Sequence, residues 1–170
     1  GGVVIKNFTL NCDTSTEASI IEENYSGDGG ALFLENTTST LQNITIQNNS
    51  YNENGYKNGS EVLLYSGANI SIGSSNVTIQ SAAGETRGIF MNNNNTLNLS
   101  GDAKIDTPIY LTNGAKVTVS EELTSEGSIV ATITPQYYPG DTMYDDQGNE
   151  TGIAVDVSVL TVGTGVTLND

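Results

Sequence analysis

A short strand pattern that recurs along the chain constrains its fold more than any other feature of the sequence. Residues 43–47, NITIQ, return as residues 76–80, NVTIQ, and looser copies occupy residues 7–11, 96–100, 116–120 and 165–169. In the two close copies the second and fourth residues are apolar and the others are polar, which is the period of a strand with one buried face. A single such strand cannot bury its apolar face, whereas copies stacked in parallel share one interior. The repeat therefore predicts a solenoid.

A second set of strands precedes the first. It consists of four mainly apolar segments that each follow a small or turn-forming residue, at residues 31–34, 61–64, 89–92 and 109–112. Gly, Asn, Asp and Ser fill the stretches between the two sets, as expected of turns. Stacking both sets in register predicts three interior rows: Phe8, Ile44, Val77, Leu97 and Val117 in the first, Leu10, Ile46, Ile79, Leu99 and Val119 in the second, and Phe33, Leu63, Met91 and Leu111 in the third.

These patterns predict an all-β fold, a single-stranded parallel β-helix of five or six coils. The length of 170 residues suits one domain, residues 1–170, with regular coils over residues 1–127. The rhythm changes around Pro135 and Pro139, so we assign residues 128–170 to terminal coils and an atypical C-terminal cap that covers the open sheet edge. The chain begins without a secretory leader pattern, and we expect it to be a fragment of a longer surface protein.

The charge balance narrows the range of partners. Five Lys and Arg stand against twenty Asp and Glu, a formal net charge of -15, and such a surface repels phosphate backbones and anionic lipid head groups. We therefore expect no nucleic-acid partner. Because no apolar run of about 18 residues occurs, we also expect no membrane insertion by this segment. Cys12 is the single cysteine, so the chain cannot form an internal disulfide.

Residues for catalysis on acidic polysaccharides are scarce in this sequence. Lyases of that type need basic side chains to meet a uronate and to abstract or stabilise a proton, and hydrolases need clustered aspartates with a histidine. Arg87 is the single arginine and histidine is absent, so we expect no enzymatic activity. The alternative is a carbohydrate-active β-helix, lyase-like or hydrolase-like, which a cleft lined with carboxylates and Arg87 would support.

The densest acidic cluster is the candidate metal site. It contains Asp141, Asp145, Asp146 and Glu150. Calcium takes oxygen ligands at such short spacing, but the pattern does not match an EF-hand loop, and Asp is an ordinary turn residue. We expect no cofactor and keep calcium at this cluster as a hypothesis.

Strand alternation predicts an outward apolar ridge of Leu32, Val62, Phe90 and Tyr110. Outward positions of a strand normally meet solvent, so an apolar ridge needs a cover. Either a loop of the same chain covers it, or it contacts a partner, another solenoid or a ligand.

The outward threonines raise a third functional class. A column of Thr9, Thr45, Thr78 and Thr118, interrupted by Asn98, runs along the first set of strands. Flat threonine rows suit an ice-binding surface, and we keep ice binding as a minor alternative.

One stretch carries a family resemblance. Residues 21–32, IEENYSGDGGAL, resemble the repeat of chlamydial polymorphic outer-membrane proteins and related autotransporter passengers, in which a Phe-x-x-Asn motif precedes a Gly-Gly-Ala-aliphatic motif. Residues 29–32 match the second motif, and Ile21 stands where Phe is usual. Residues 46–49 repeat the looser first motif. The resemblance implies a right-handed parallel β-helix displayed on a bacterial surface and used for adhesion.

We therefore expect a non-enzymatic, extracellular segment of a bacterial cell-surface protein, with a structural and adhesive role. Its loops would be presented to a host-surface protein, a matrix protein or a glycan. Self-association through the coil ends or through the ridge is a further hypothesis.

Overall fold

The chain folds into a parallel β-solenoid. The computed structural model describes residues 2–7, 18–27, 31–51, 58–73, 76–112, 114–124, 130–154 and 160–162. Over these residues the structure is all-β, with parallel strands stacked into about four turns, fewer than the five or six coils expected. The strands of the described residues are numbered β1 to β18 in chain order.

Three parallel sheets form the sides of the solenoid. The largest contains, in spatial order, β1 (Val3–Lys6), β4 (Leu32–Glu35), β8 (Val62–Tyr65), β11 (Ile89–Met91), β13 (Pro108–Leu111) and β15 (Thr132–Pro135). The five-stranded sheet contains β18 (Leu160–Val162), β14 (Lys116–Leu123), β12 (Thr96–Gly101), β9 (Asn69–Ile72) and β5 (Thr38–Leu41). The three-stranded sheet contains β10 (Val77–Gln80), β6 (Ile44–Gln47) and β2 (Ser19–Glu22). A short parallel pair is formed by β3 (Tyr25–Ser26) and β7 (Ser50–Tyr51).

The coils visit these sheets in a fixed order. The chain runs from the six-stranded sheet through the five-stranded sheet to the three-stranded sheet, as β4, β5 and β6 do and as β8, β9 and β10 do again. Between β12 and β13, where every residue is described, the third side is reduced to an isolated bridge between Gln80 and Asp106, although Ala103 and Ile105 belong to the buried core cluster. The solenoid is therefore narrower in this coil than in the two coils before it.

The interior is built from in-register rows of aliphatic side chains. In the six-stranded sheet the two inward rows are Leu32, Val62, Ile89 and Ile109, and Leu34, Leu64, Met91 and Leu111. All of these belong to one buried hydrophobic cluster, which also includes the inward residues of the other two sheets. Burying one such side chain stabilises a fold by roughly 1.5–3 kcal/mol. Stacked rows can therefore hold coils together although each strand is short.

The predicted alternation is confirmed, but the predicted single column of strands is wrong. Ile44 pairs with Val77 in the three-stranded sheet, whereas Leu97 pairs with Val117 in the five-stranded sheet. These four residues do not sit one above another, and Leu97 stacks on Ile70 of β9 instead. Strand β5, TSTL, escaped prediction because it contains a single apolar residue, and β9, NISI, has the alternating pattern but was not recognised as a copy.

The phase predicted for strands β4 and β8 of the six-stranded sheet is wrong by one residue. The register places Leu64, and not Leu63, beside Met91. Leu32 and Val62 therefore point into the core, where they are 0% and 3% exposed, and they belong to no outward ridge. Residues 31–34 and 62–64 are apolar at every position, so alternation within them cannot fix their phase. A slip of one residue then exchanges the two faces of the strand.

The C-terminal region departs from the parallel stacking, and its atypical character is confirmed. Strands β15 and β18 extend the two larger sheets, but between them β16 (Thr142–Tyr144) and β17 (Glu150–Ile153) form an antiparallel hairpin. The role of residues 128–170 as a cap stays a prediction. The strand copies predicted over residues 8–11 and 165–169, with Phe8, Thr9 and Leu10, lie outside the described residues.

A matched pair of substitutions tests the register. Leu32→Asp places a carboxylate in the core and should remove about 4 kcal/mol or more of unfolding free energy, which abolishes cooperative folding. Phe33→Asp, one residue along the same strand, should retain cooperative unfolding because this side chain lies on the outer face. Circular dichroism during urea unfolding measures both. A cooperatively folded Leu32→Asp protein beside an unfolded Phe33→Asp protein would show that the phase is the reverse of the one described.

Candidate functional site on the outer face of the six-stranded sheet

The outer face of the six-stranded sheet carries an apolar row. Its members occupy the same position on successive strands, and we call them the outer row: Val4, Phe33, Leu63, Phe90 and Tyr110. Leu63 and Phe90 are only 3% and 7% exposed, yet both lie outside the hydrophobic cluster of the interior. Val4 is 63% exposed, and Phe33 and Tyr110 are half-buried. The side chains at the centre of the row are therefore shielded from solvent, and those toward its ends are accessible to solvent.

Two cations lie over rings of the outer row. The Nζ of Lys6 is 5.2 Å from the ring centroid of Phe33. The Cζ of Arg87 is 4.2 Å from the ring centroid of Tyr110 and 5.8 Å from that of Phe90. The Phe90 and Tyr110 rings are themselves stacked, with centroids 5.5 Å apart and planes at 19°. Each cation–ring contact contributes about 0.5–1 kcal/mol at an exposed site, and together they orient the side chains.

The outer face of the five-stranded sheet provides a comparison within the same molecule. The corresponding outward residues there are polar: Thr38, Thr40, Asn69, Ser71, Thr96, Asn98, Lys116 and Thr118. The solenoid thus presents hydroxyl and amide groups on one outer face and aromatic rings on another. Because accessible apolar side chains on an outer face mark contact surfaces, the accessible members of the outer row, with the rings they stack on, are the candidate functional site.

A polar corner with two carboxylates adjoins the outer row near Arg87. The pKa of Tyr51 is raised to about 12, chiefly by burial. A hydrogen bond from the Tyr51 hydroxyl to Glu85 and the negative charge of Glu85 also raise it, whereas the positive charge of Arg87 lowers it. The negative charge of Glu85 also raises the pKa of Glu61. The structure therefore gathers Tyr51, Glu61, Glu85 and Arg87 at one corner.

Glu61 is a buried carboxylate that accepts hydrogen bonds from uncharged donors. It is 0% exposed, and Asn49 donates to its two oxygens from the backbone N–H at 3.2 Å and from Nδ2 at 2.5 Å. The Ser81 hydroxyl is a further donor. Burial nevertheless raises the pKa of Glu61 above its ordinary 4.5, since the loss of water outweighs these bonds. Asn49 also accepts from Asn24 of the preceding coil, so the network ties coils together.

Two of the four predicted ridge residues lie in the candidate site. Phe90 and Tyr110 belong to the outer row, as predicted, whereas Leu32 and Val62 belong to the interior. Their places in the row are taken by two residues that the predicted phase assigned to the core, Phe33 and Leu63. Contact between this row and a partner stays a prediction.

The four acidic candidates lie in and beside the antiparallel hairpin and do not form a ligand set. The carboxylate of Asp145 accepts hydrogen bonds from the side chain and the backbone N–H of Asn149 and from the N–H of Gln147. These bonds hold the pKa of the Asp145 carboxyl below its usual range. The Oδ2 of Asp141 accepts from the N–H of Tyr138 at 2.7 Å. Among the described residues, no group of three or more acidic, histidine or cysteine side chains could hold a metal ion, and those residues include all four candidates: Asp141, Asp145, Asp146 and Glu150.

The predicted threonine column is divided between two sheets. Thr45 and Thr78 pair in the three-stranded sheet, whereas Thr118 pairs with Asn98 in the five-stranded sheet. Thr9 lies outside the described residues. A column that joins Thr45, Thr78 and Thr118 is therefore not formed.

Sequence analysis did not single out five residues of this region: Lys6, Tyr51, Glu61, Glu85 and Tyr65, whose ring centroid lies 6.1 Å from that of Phe33. Tyr51 ends strand β7 and Glu85 lies in a turn, and only the stacking of coils brings these two residues together. Tyr65 carried a usable signal, because it directly follows the apolar segment of residues 61–64 and so ends a strand of the six-stranded sheet.

The fold and the outer row define the class of molecule, a parallel β-solenoid with one aromatic outer face. Comparisons of the chain with protein-family models, with curated proteins and with solved structures found no match. The resemblance to polymorphic outer-membrane proteins and autotransporter passengers therefore rests on the sequence motif alone. The described part of the chain contains no helix with the length and hydropathy that a bilayer span requires.

The raised pKa of Glu61 predicts a pH dependence of stability. The folded chain binds this proton more tightly than the unfolded chain, so the contribution of Glu61 to the free energy of unfolding is largest below pH 4.5 and declines as the pH rises through the folded pKa. Glu61→Gln removes the titration. The variant should gain stability relative to the wild type as the pH rises and lose that advantage in acid.

Urea unfolding at acid and at neutral pH measures this difference. The control is Glu150→Gln, which removes an exposed carboxylate from the hairpin and reports the general effect of one negative charge less on an acidic chain. If the Glu61→Gln difference changes with pH no more than the Glu150→Gln difference does, the assignment of a raised pKa to Glu61 is wrong.

Proposed function

We propose that the chain is a non-enzymatic segment of a secreted or bacterial cell-surface protein with a structural and adhesive role. The outer row is the observation that carries this proposal. It is an apolar row that lies outside the shared interior, shielded at Leu63 and Phe90 and accessible at Phe33 and Tyr110, whereas the neighbouring outer face is polar. Its partner would be a host-surface protein, a matrix protein or a glycan.

The regular spacing of the solenoid supports an adhesive role. Neighbouring strands lie about 4.7–4.9 Å apart, so the outer row presents its side chains at fixed intervals along one axis. A partner that contacts the row does not have to order it, which lowers the entropic cost of binding. Aromatic and arginine side chains are also the residues that dominate the energy of many interfaces.

Charge is distributed in a way that favours contact at the same face. Lys6 and Arg87 are two of the five cations of a chain with a net charge of -15, and both lie over rings of the outer row. Lys6 also pairs with Glu35 at 2.6 Å. Arg87 can donate to hydroxyl, carbonyl or carboxylate oxygens of a partner while its plane covers Tyr110.

One observation favours a second candidate function. The polar corner of Tyr51, Glu61, Glu85 and Arg87 combines carboxylates, a phenol and a guanidinium, which are the groups that a carbohydrate-active site uses. Glu61 is fully buried and bonded to Asn49, so Glu85 is the carboxylate of this corner that a substrate could reach. We rank this lyase-like or hydrolase-like function below adhesion for that reason.

Binding of the intact chain to immobilised fibronectin, laminin and collagen and to a glycan array tests the adhesive proposal. Tyr110→Ser should weaken binding to the partner about tenfold, because it removes a ring from the accessible end of the outer row. Tyr138→Ser, the same change at an exposed tyrosine beside the hairpin, should leave binding unchanged. No binding to any of these surfaces, or an equal loss in both variants, would refute the proposal.

Incubation with polygalacturonate and with neutral polysaccharides tests the enzymatic alternative. The adhesive proposal expects no release of reducing ends and no unsaturated product from either substrate. Turnover by the wild type that Glu85→Gln abolishes would replace the adhesive proposal with a carbohydrate-active one.

A further inference from the structure

An open depression lies beside Tyr65, where the six-stranded sheet turns into the five-stranded sheet. It has a volume of about 240 Å³ and is lined by Tyr65, Ser66, Asn92, Asn93 and Asn94. Tyr65 ends β8 and the asparagines follow β11, so two successive coils contribute the lining. The lining combines one aromatic ring, one hydroxyl and three amides, and no charged side chain is among these residues.

The ring of Tyr65 forms the apolar wall of the depression. Tyr65 is 42% exposed. On the side of the preceding coil it is supported by Phe33 of the outer row, with ring centroids 6.1 Å apart and planes tilted by 34°. An exposed tyrosine offers a flat apolar face with a polar hydroxyl at its edge. The depression is therefore continuous with the outer row but differs from it in chemistry.

The amides of the opposite wall are oriented by hydrogen bonds within the protein. The Oδ1 of Asn92 accepts from the backbone N–H of Asn93 at 2.6 Å. The Oδ1 of Asn93 accepts from the hydroxyl of Thr112, in the next coil, at 2.9 Å. With these oxygens engaged, the Nδ2 groups are the parts of the two amides that can donate to a ligand. The exposed Asn94 and Ser66 add groups that can both donate and accept.

A buried asparagine fixes the two walls relative to each other. The Oδ1 of Asn95 accepts from the N–H of Ala68 at 2.6 Å, and its Nδ2 donates to the carbonyls of Leu64 at 2.9 Å and Asn92 at 2.7 Å. These partners flank the lining residues on both coils, so neither wall moves without breaking bonds in the interior. The depression is thus formed before a ligand arrives, which favours binding by a shallow site.

We propose that this depression binds a neutral pyranose ring of a glycan. The C–H face of the sugar lies on Tyr65, and its ring hydroxyls accept from and donate to the asparagine amides and Ser66. The match is chemical, because a pyranose has an apolar face and a rim of hydroxyls, and the lining has an apolar face and a rim of amides. A neutral sugar is favoured over an acidic one, since no cation lines the depression and the net charge of -15 repels uronates and sialates. The inference rests on the proposed adhesive function, because the sugar is bound and not turned over.

Nuclear magnetic resonance titration of the isotope-labelled full chain tests this site directly. The probes are the methyl glycosides of glucose, galactose, mannose and N-acetylglucosamine, with galacturonate as the acidic probe. At least one neutral glycoside should give saturable shifts of the side-chain amide signals of Asn92, Asn93 and Asn94, and galacturonate should give weaker ones. Tyr65→Ala should weaken the affinity about tenfold through the lost stacking, whereas Tyr138→Ala should not change it.

A second variant guards against an effect of Tyr65→Ala on folding. Asn93→Asp keeps the oxygen that accepts from Thr112 and removes the Nδ2 donor, so it should retain the wild-type unfolding midpoint and still weaken sugar binding. The absence of a saturable shift with any neutral glycoside, a stronger response to galacturonate, or wild-type affinity in both variants would overturn the proposal.

The two proposals fail in different ways. A chain that adheres through Tyr110 but shows no sugar response at Asn92, Asn93 and Asn94 overturns the sugar site and leaves the adhesive function in place. A chain that binds a neutral glycoside in the depression but adheres to none of the tested surfaces supports the sugar site and overturns adhesion through the outer row.

Discussion

Every other feature of this solenoid depends on the in-register stacking of inward aliphatic side chains. No strand of the chain has enough apolar surface to be stable alone, and each coil is stabilised by the coils above and below it. Because Leu34, Leu64, Met91 and Leu111 fix the register of the six-stranded sheet, they also fix the positions of the residues between them. The side chains of the outer row are therefore aligned because the inward side chains of the same strands are in register.

The corners of the coils meet a second constraint, which is the pairing of buried polar groups. Where the backbone turns between sheets, its N–H and carbonyl groups lose their ladder partners and are shielded from water. Asn95 and Asn49 supply those partners with their side-chain amides. Each therefore holds a functional region in place, Asn95 beneath the depression at Tyr65 and Asn49 beneath the polar corner with Glu61.

The sequence predicted the interior of this fold better than its sides. The two-residue period of residues 43–47 and 76–80 identified inward residues correctly, because polar residues flank each apolar one. The same period was uninformative over residues 31–34 and 62–64, where every position is apolar, and the predicted faces there were exchanged. The assignment of strands to columns failed for another reason. Strand β5 contains one apolar residue, Leu41, and left little trace in the hydropathy pattern, whereas the alternating Ile70 and Ile72 of β9 were not recognised as a further copy. Without these two strands, the copies at residues 96–100 and 116–120 were assigned to the column of β6 and β10.

The candidate site was predictable only where it coincided with a strand. Phe90 and Tyr110 could be placed on the outer face because the polar Asn92 and Thr112, two residues further on, indicate the phase of their strands. Tyr51 ends the two-residue strand β7 and Glu85 lies in a turn, and their proximity results from the lengths of the intervening coils, which the sequence does not express as a pattern. The same holds for the depression at Tyr65, whose walls come from the end of β8 and from the turns after β8 and β11, which only the stacked structure brings together.

The narrowing of the solenoid after β12 bears on how such an array can grow during evolution. Tandem duplication of a gene segment inserts a whole coil, and the inserted coil must match the cross-section of the coils on both sides. The coil with β4, β5 and β6 and the coil with β8, β9 and β10 share a three-sided cross-section, so a duplicate of either can be accommodated between them. Between β12 and β13, where every residue is described, the third side offers only the bridge at Asp106, and a full-sized duplicate inserted beside that coil would leave backbone groups without partners. The narrower coil thus favours lengthening within the wider part of the array.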